Sequence, residues 1–353
     1  MIIDIIGTGP VGLITERICQ IRQWPYRIFG PRLKNLPTKK LLITETNLQF
    51  LADLGIKPTV QQSFSALKIT KQNHFHHLHI SAQDYDQNNL CCAIEYADLI
   101  TCLLDHSNYT DTAITQVSIS PNSQIRFTTN NPEKTYTSDL LVACDGSRSV
   151  SKKNDNFSST SLPTQYAHLI TLNVEGPTEY TLMQRVAQHQ GTSVTLGVIP
   201  GSPGMIILTS ATPIDSELGL EQIKSMVGYH YTLSNLGPQT KHSFTPELTA
   251  SCYKNSILLL GNAAMTISPV AAQGLNHAIH NLKTLHGISN VNQHSLQDLG
   301  NKMQISNQQL FKRMTQLSSP KRIHQLIAHS ALSTQYFSPI LQDIVWQFGN
   351  RYD

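Results

Sequence analysis

The sequence predicts an α/β protein in which a discontinuous, mostly parallel domain carries an inserted antiparallel β-rich region and ends in helices. Three short apolar runs, at residues 2–6, 140–144 and 256–260, are each stopped by Gly or Asp-Gly. Such unbroken runs suit strands buried on both faces. Between the second and third, from about 165 to 250, the pattern changes to longer segments separated by Pro/Gly turns. That change marks the insertion.

The elements follow in order. Ile2–Ile6 ends at Gly7, and Val11, Ile14, Ile18 and Ile21 then recur at helical spacing, predicting a helix from about Pro10 to Arg22. Tyr26–Phe29 reads as a second strand closed by Gly30-Pro31, and Leu48, Leu51 and Leu54 mark a helix ended by Gly55. A polar stretch over 64–95 suggests strands and loops, and Leu99, Cys102 and Leu103 a further helix. Leu140–Cys144 is the second buried strand. His168–Val174, Ser193–Ile199 and Met205–Ser210 read as strands, the last two joined through Pro200-Gly201-Ser202-Pro203-Gly204 as a hairpin turn. Ser256–Leu260 is the third buried run, and the remainder to Asp353 is helical in pattern. Leu310, Met314 and Leu317, followed by Ile323, Leu326 and Ile327, mark a C-terminal amphipathic region suited to core packing or a partner surface.

Composition narrows the function. The chain has 353 residues, 40% hydrophobic and only 14% charged, so its surface is polar mainly through neutral hydrogen-bonding groups. Lys+Arg 26 against Asp+Glu 23 gives +3, too weak a balance for bulk attraction to nucleic acid. No apolar run approaches the ~20 residues of a membrane span. Six cysteines without CxxC spacing argue against a zinc site and a disulfide scaffold. Cys19, Cys102 and Cys144 read as small buried hydrophobes, and a reducing cytosol is expected. The apolar N-terminus reads as a first strand, not a signal peptide. His74, His76, His77 and His79 lack a diagnostic metal spacing and read as a solvated edge strand. No GxSxG elbow or Walker loop occurs.

The chemistry begins at Gly7-Thr8-Gly9-Pro10-Val11-Gly12, a GxGxxG between a strand and a helix. Gly7 permits the tight turn, Gly9 the approach of a pyrophosphate to the backbone, and Gly12 close helix–strand packing. The helix N-terminus then offers unpaired N–H groups to the phosphates. Dinucleotide binding is the expectation. The acid that such a fold places about 20 residues on, for the adenosine ribose, is missing: the position falls near Gly30-Pro31, and no Asp or Glu occurs between Glu16 and Glu45. Backbone groups or Arg32 are the candidates to replace it.

Two further stretches carry a family resemblance. Asp145-Gly146-Ser147-Arg148-Ser149-Val150-Ser151-Lys152 resembles the DGxxSxxR motif of aromatic-ring flavoprotein monooxygenases. Gly261-Asn262-Ala263-Ala264 through Pro269-Val270-Ala271-Ala272-Gln273-Gly274-Leu275-Asn276 resembles their second flavin motif, GDAAH…P…GQGxN. Asn262 in place of Asp, Tyr166–Val174, Arg185 with Gly191 and Leu196, and the pattern through Phe348-Gly349 are similar to the ubiquinone-biosynthesis hydroxylases.

The resemblance implies a p-hydroxybenzoate-hydroxylase-like, Rossmann-like FAD-binding domain made of 1–70, 94–160 and 250–353, with a substrate-binding β domain made of 71–93 and 161–249. It implies FAD as cofactor, with NAD(P)H as reductant and O2 as co-substrate. The reaction would be hydroxylation of an aromatic ring, a prenylated phenol in the ubiquinone branch, through a flavin C4a-hydroperoxide. The implied cofactor-binding residues are Gly7, Gly9, Pro10, Val11, Gly12, Lys39, Asp145, Gly146, Gly261, Asn262, Gly274, Leu275 and Asn276. Pro269 would form the wall beside the flavin ring, and no catalytic base is named. The helix opened by Gly274, Leu275 and Asn276, with Ala278, Ile279, Leu282 and Leu285 on one buried face, would aim its N-terminal amides at the flavin pyrimidine edge. No metal and no nucleic-acid partner are implied. A cytoplasmic location, peripheral to the inner membrane, and association with a membrane surface or a biosynthetic complex are family expectations.

The sequence also departs from the family pattern. Besides the missing acid, Lys39 or Lys40 stands where the family carries Arg. Tyr96 and Thr101 replace the middle-helix Asn-and-Arg pattern, Lys152 replaces Arg, and Met265 replaces His or Gln. Ala272 replaces the first Gly of GQG, and Asn281 replaces Asp. These departures define a second reading, a flavin-fold protein without turnover that serves as scaffold or accessory subunit of the ubiquinone-biosynthesis assembly.

Overall fold

In the computed structural model, described for residues 1–317 apart from 35, 74–76, 121–123, 131, 155–156, 177–179, 215, 230 and 270–271, the three apolar runs lie side by side. Ile3–Ile6 pairs in parallel with Leu140–Ala143 on one side and Tyr26–Gly30 on the other, and Leu140–Ala143 pairs in parallel with Ile257–Leu259. Tyr253–Lys254 and Thr110–Asp111 complete a six-stranded sheet at its two edges. The first strand is fully buried, including Asp4. Its carboxylate is neutralised by a two-point contact with Arg27, Nε to Oδ1 at 2.6 Å and the second nitrogen to Oδ2 at 2.8 Å. A buried charge persists only when paired in this way.

The predicted helix forms over Pro10–Ile21, burying Leu13, Ile14 and Ile18. It packs against Tyr96–Leu104 and Gln273–His286. One layer had no sequence-based expectation: Ile114–Ile119, Ile125–Asn130 and Glu133–Ser138 form an antiparallel sheet. Its alternation is visible in hindsight at Ile125 and Phe127, both 1% exposed. Phe127 packs edge-on against Phe29 with ring centres 5.1 Å apart.

The inserted region is an eight-stranded sheet centred on Gln165–Glu175, Gly201–Ser210, Thr192–Ile199 and Thr181–His189. Along Gln165–Glu175 the residues Ile170, Leu172 and Val174 face a core with the helix Leu220–Val227. The opposite face of the sheet, with Leu182, Met205 and Ile207, meets Leu42 and Phe64. Leu169 and Ala272 pack at the margin of that second core, so the sheet reaches the start of the Gln273–His286 helix.

The structure differs from the sequence reading at two points. The boundaries at 70/71 and 93/94 each cut a strand. Ala66–Lys71 lies wholly in the large sheet, parallel to Thr181–His189, whereas Cys91–Glu95 pairs with Lys40–Thr44 and Val60–Phe64. Local alternation shows that a strand exists but not which distant strand it joins. The Pro/Gly hairpin forms, with Ile199 opposite Met205 across Pro200-Gly201-Ser202-Pro203-Gly204. Cys102 is partly exposed instead of buried. All six cysteines are free, and burial pushes the thiols of Cys19, Cys91, Cys144 and Cys252 up, which makes them poor nucleophiles at neutral pH.

Among the described residues no helix is long and apolar enough to cross a membrane, and no three His, Cys, Asp or Glu side chains group as a metal site. His79 is exposed on the edge strand Leu78–Ser81. His74, His76, Val270, Ala271, Ile323, Leu326, Ile327, Phe348 and Gly349 lie outside the described residues. The helix Gln293–Leu317 is present, with Leu310 and Met314 buried beside Met265 and Ile267.

Candidate cofactor site

The three motif loops leave the carboxyl ends of three neighbouring parallel strands, where ligands bind in open α/β sheets. The ladder runs up to the loops: Cys144 N donates to Ile6 O at 2.7 Å and Leu260 N to Ala143 O at 2.9 Å. Gly7 has φ +110°, and a Cβ there would lie 2.5 Å from Cys144 O, so the first two loops touch through a position that only Gly fits. A Cβ on Gly12 would come within 1.8 Å of Gly7 O, which closes the helix onto the turn. Pro10 is the first helical residue. Val11 packs against Gly261, whose Cβ would lie 3.0 Å from Val11 Cγ2, so the first and third motifs also meet.

Other motif glycines face open space. At Gly9, Gly146 and Gly274, one from each motif, an added Cβ would find no heavy atom within 4 Å. All three are half-buried, so the motif loops present open backbone at the carboxyl edge of the sheet. Asp145 adds a polar group to it. Its Oδ2 accepts from Val150 N at 2.8 Å, while its Oδ1 is buried with no partner. Burial raises the Asp145 carboxyl above its ordinary value, against hydrogen bonds from Ser149 and backbone amides. A buried carboxylate oxygen without a donor is costly, and a ligand hydroxyl would satisfy it.

The helix Gln273–His286 opens without a side-chain cap, at Ala272, held at φ 52° and ψ 27°. Its first turn carries no acid, so the amides of Gln273, Gly274 and Leu275 keep the positive end of the helix dipole. Ala272 N donates to Pro269 O at 3.0 Å, tying the expected flavin wall to this helix start. Asn262 is exposed at its surface and Leu275 is half-buried. Lys39 is half-buried with its Nζ 4.3 Å from the Tyr96 ring centre, and burial lowers its pKa.

Asn276, one of the implied cofactor-binding residues, has its side chain committed within the protein. Its Nδ2 donates to Leu42 O at 2.7 Å and Ala272 O at 2.9 Å, and its Oδ1 accepts from Thr44 N and Asn47 Nδ2, each at 3.0 Å. An amide has two N–H donors and two acceptor lone pairs, and all are used. Asn276 pins the helix start to the strand Lys40–Thr44 and to Asn47 on the helix Glu45–Asp53.

Two further positions stand beside the motif loops. Lys152, in place of the motif Arg, meets Glu247 Oε2 at 2.5 Å, and Glu247 Oε1 accepts from Ser159 Oγ at 2.5 Å. Burial pushes the Glu247 carboxyl up, but these hydrogen bonds and the Lys152 charge outweigh it and hold it below its ordinary value. Thr8 is the other: 3% exposed, it donates from Oγ1 to Pro31 O at 2.8 Å and crowds Gly30, where a Cβ would lie 2.7 Å from its side chain. The absence of an acid at Gly30 therefore has a steric cause in this chain.

The comparisons with known proteins agree with this geometry. The family described as FAD binding domain matches residues 105–287, more than half the chain. The chain belongs to that family, and FAD is the cofactor membership assigns; it is a flavoprotein of the oxidoreductase class with a p-hydroxybenzoate-hydroxylase-type fold. Among solved structures it is similar to HpxO of Klebsiella pneumoniae complexed with FAD and uric acid, at 12% identity over 99% of this chain and 96% of that one, with TM-score 0.71. It is also similar to 2,6-dihydroxypyridine-3-hydroxylase from Arthrobacter nicotinovorans, at 12% identity over 96% and 95%, with TM-score 0.68. OxyS anhydrotetracycline hydroxylase from Streptomyces rimosus matches at 13% identity over 98% of this chain and 76% of that one, with TM-score 0.68. No curated protein sequence matches.

Proposed function

We propose that the protein is an FAD-dependent monooxygenase that hydroxylates an electron-rich aromatic ring. The observation that carries the reading is the contact of the three motif loops at the carboxyl ends of neighbouring parallel strands, with open backbone at Gly9, Gly146 and Gly274 and the unpartnered Asp145 Oδ1 in the second loop. These residues suit FAD: the Gly7–Gly12 turn and helix start for the pyrophosphate, Asp145 and Gly146 for ribityl hydroxyls and backbone approach, and Gly261 and Asn262 on the far side. FAD, when bound, supplies the redox chemistry, taking electrons from NAD(P)H and activating O2.

The chain's own residues orient the cofactor and exclude water. The first turn of the helix Gln273–His286, which carries no acid, would stabilise negative charge placed before it. The sheet face carrying Leu169 and Met205 gives the region beside this helix an apolar wall. A cavity of about 140 Å³ lies against the helix Gln293–Leu317, lined by Leu162, Gln165, Ile267, Ser268, Phe311 and Thr315, mostly apolar with three polar side chains. Such a lining fits a phenol with an apolar substituent. Together with Asn262, Tyr166–Val174 and Arg185, it supports a substrate of the prenylated-phenol kind used by the ubiquinone branch.

The test is the visible spectrum of purified protein before and after adding FAD and desalting, followed by NADH and NADPH oxidation with a panel of phenols under 18O2. Retained flavin and phenol-stimulated oxidation with label in the product support the reading. Retained flavin with no phenol response leaves the scaffold reading, and protein that cannot hold FAD overturns the proposal.

A further inference from the structure

We propose that Asp111 supplies the carboxylate for the adenosine ribose hydroxyls of the bound dinucleotide, in place of the acid that Gly30 cannot carry. The inference rests on the FAD reading above and extends it to a residue from a different part of the chain. Gly30 ends the second strand, and Thr8 occupies the space any side chain there would need. The neighbouring strand Thr110–Asp111 runs parallel to it, with Phe29 opposite Thr110 and Gly30 opposite Asp111. Asp111 thus stands about 4.8 Å away, one strand spacing from the vacated position.

Its side chain turns back across the end of the second strand, where Oδ1 accepts from Arg32 N at 2.7 Å. Thr112 N donates to Gly30 O at 3.2 Å and fixes the two backbones together. Asp111 is exposed. A carboxylate accepts at about four lone-pair sites, so the Arg32 amide leaves capacity for a vicinal diol. The nearest acid on the first helix does not compete: Glu16 is 1% exposed and engaged by Ser107 Oγ and by Asn108 N. A carboxylate receiving two hydroxyl donors is also the stronger kind of hydrogen-bond acceptor.

The experiment titrates apoprotein with FAD, with FMN, which lacks the adenosine, and with an FAD analogue lacking the adenosine 2′-hydroxyl, following flavin fluorescence. Asp111→Ala is expected to weaken FAD binding by roughly 10- to 100-fold and to leave FMN unchanged. Wild type should discriminate against the deoxy analogue, and the variant should bind both alike. Asp111→Ala binding FAD as wild type does, or losing FAD and FMN equally, overturns the assignment while leaving the FAD reading intact. Wild type that binds no FAD overturns both, and is told apart because no variant comparison is then needed.

Discussion

Asn276→Ala separates a structural pin from a ligand. The side chain holds four hydrogen bonds, to Leu42 O, Ala272 O, Thr44 N and Asn47 Nδ2, and is 5% exposed. A buried neutral hydrogen bond contributes about 1 kcal/mol net, and partners left unsatisfied add to the loss. The expected destabilisation of the apoprotein is therefore about 4 kcal/mol. At roughly 2.1 cal/mol/K of unfolding entropy per residue, a chain of 353 residues would lose about 5 °C in Tm. The assay is thermal and urea unfolding of flavin-free protein, paired with FAD titration. A ligand role makes the opposite prediction: apoprotein stability unchanged and FAD affinity reduced. A Tm within about 1 °C of wild type in flavin-free Asn276→Ala would refute the pin.

Four further outcomes follow from the same geometry. Gly9→Leu should leave apoprotein stability within about 0.5 kcal/mol, because an added Cβ has no heavy atom within 4 Å and φ −73° is ordinary for any residue, yet abolish FAD retention on desalting. Ala272→Gly should raise stability by up to about 1 kcal/mol in urea unfolding, the relief of left-handed backbone strain exceeding the extra unfolded-state entropy. Glu247→Gln should cost about 2–3 kcal/mol by leaving Lys152, only 7% exposed, without its counter-charge. Because the folded Glu247 carboxyl lies below its ordinary value, its contribution is present above the unfolded glutamate pKa of about 4.3 and is lost as pH falls through the folded value, so the variant should flatten that acid limb. His277, lowered to about 4 by burial, with the Asn307 bond opposing, stabilises fully above about 6.5. That stability falls as pH drops towards 4. His277→Gln should lessen this slope in urea titrations between pH 7 and 4, the remainder being that of His280, lowered to about 3 by burial.

What was readable in the sequence, and what was not, divides along the distance over which each constraint acts. Gly7, Gly12 and Gly261 were legible because close backbone approach leaves no other residue type, and the apolar runs were legible because a strand covered on both faces needs no alternation. The side of the sheet taken by Ala66–Lys71 was not, since its partner Thr181–His189 is joined by tertiary pairing alone. Asn276 shows a different limit: one amide in one motif serves equally as a ligand or as a pin, and only the positions of Leu42, Thr44 and Asn47 decide between them. Gly30 is the sharpest case. Along the chain it is a position without its acid, but in three dimensions it is half of a pair with Thr8, and the strand beside it ends in a carboxylate. A motif searched for at a fixed spacing cannot register a function that moves to a neighbouring strand, because adjacency across a parallel sheet is independent of separation in sequence. The departures that define the scaffold reading are therefore judged one by one, each among its own neighbours: Lys152 against Glu247, Asn281 against Asn307, and Gly30 with a carboxylate one strand away.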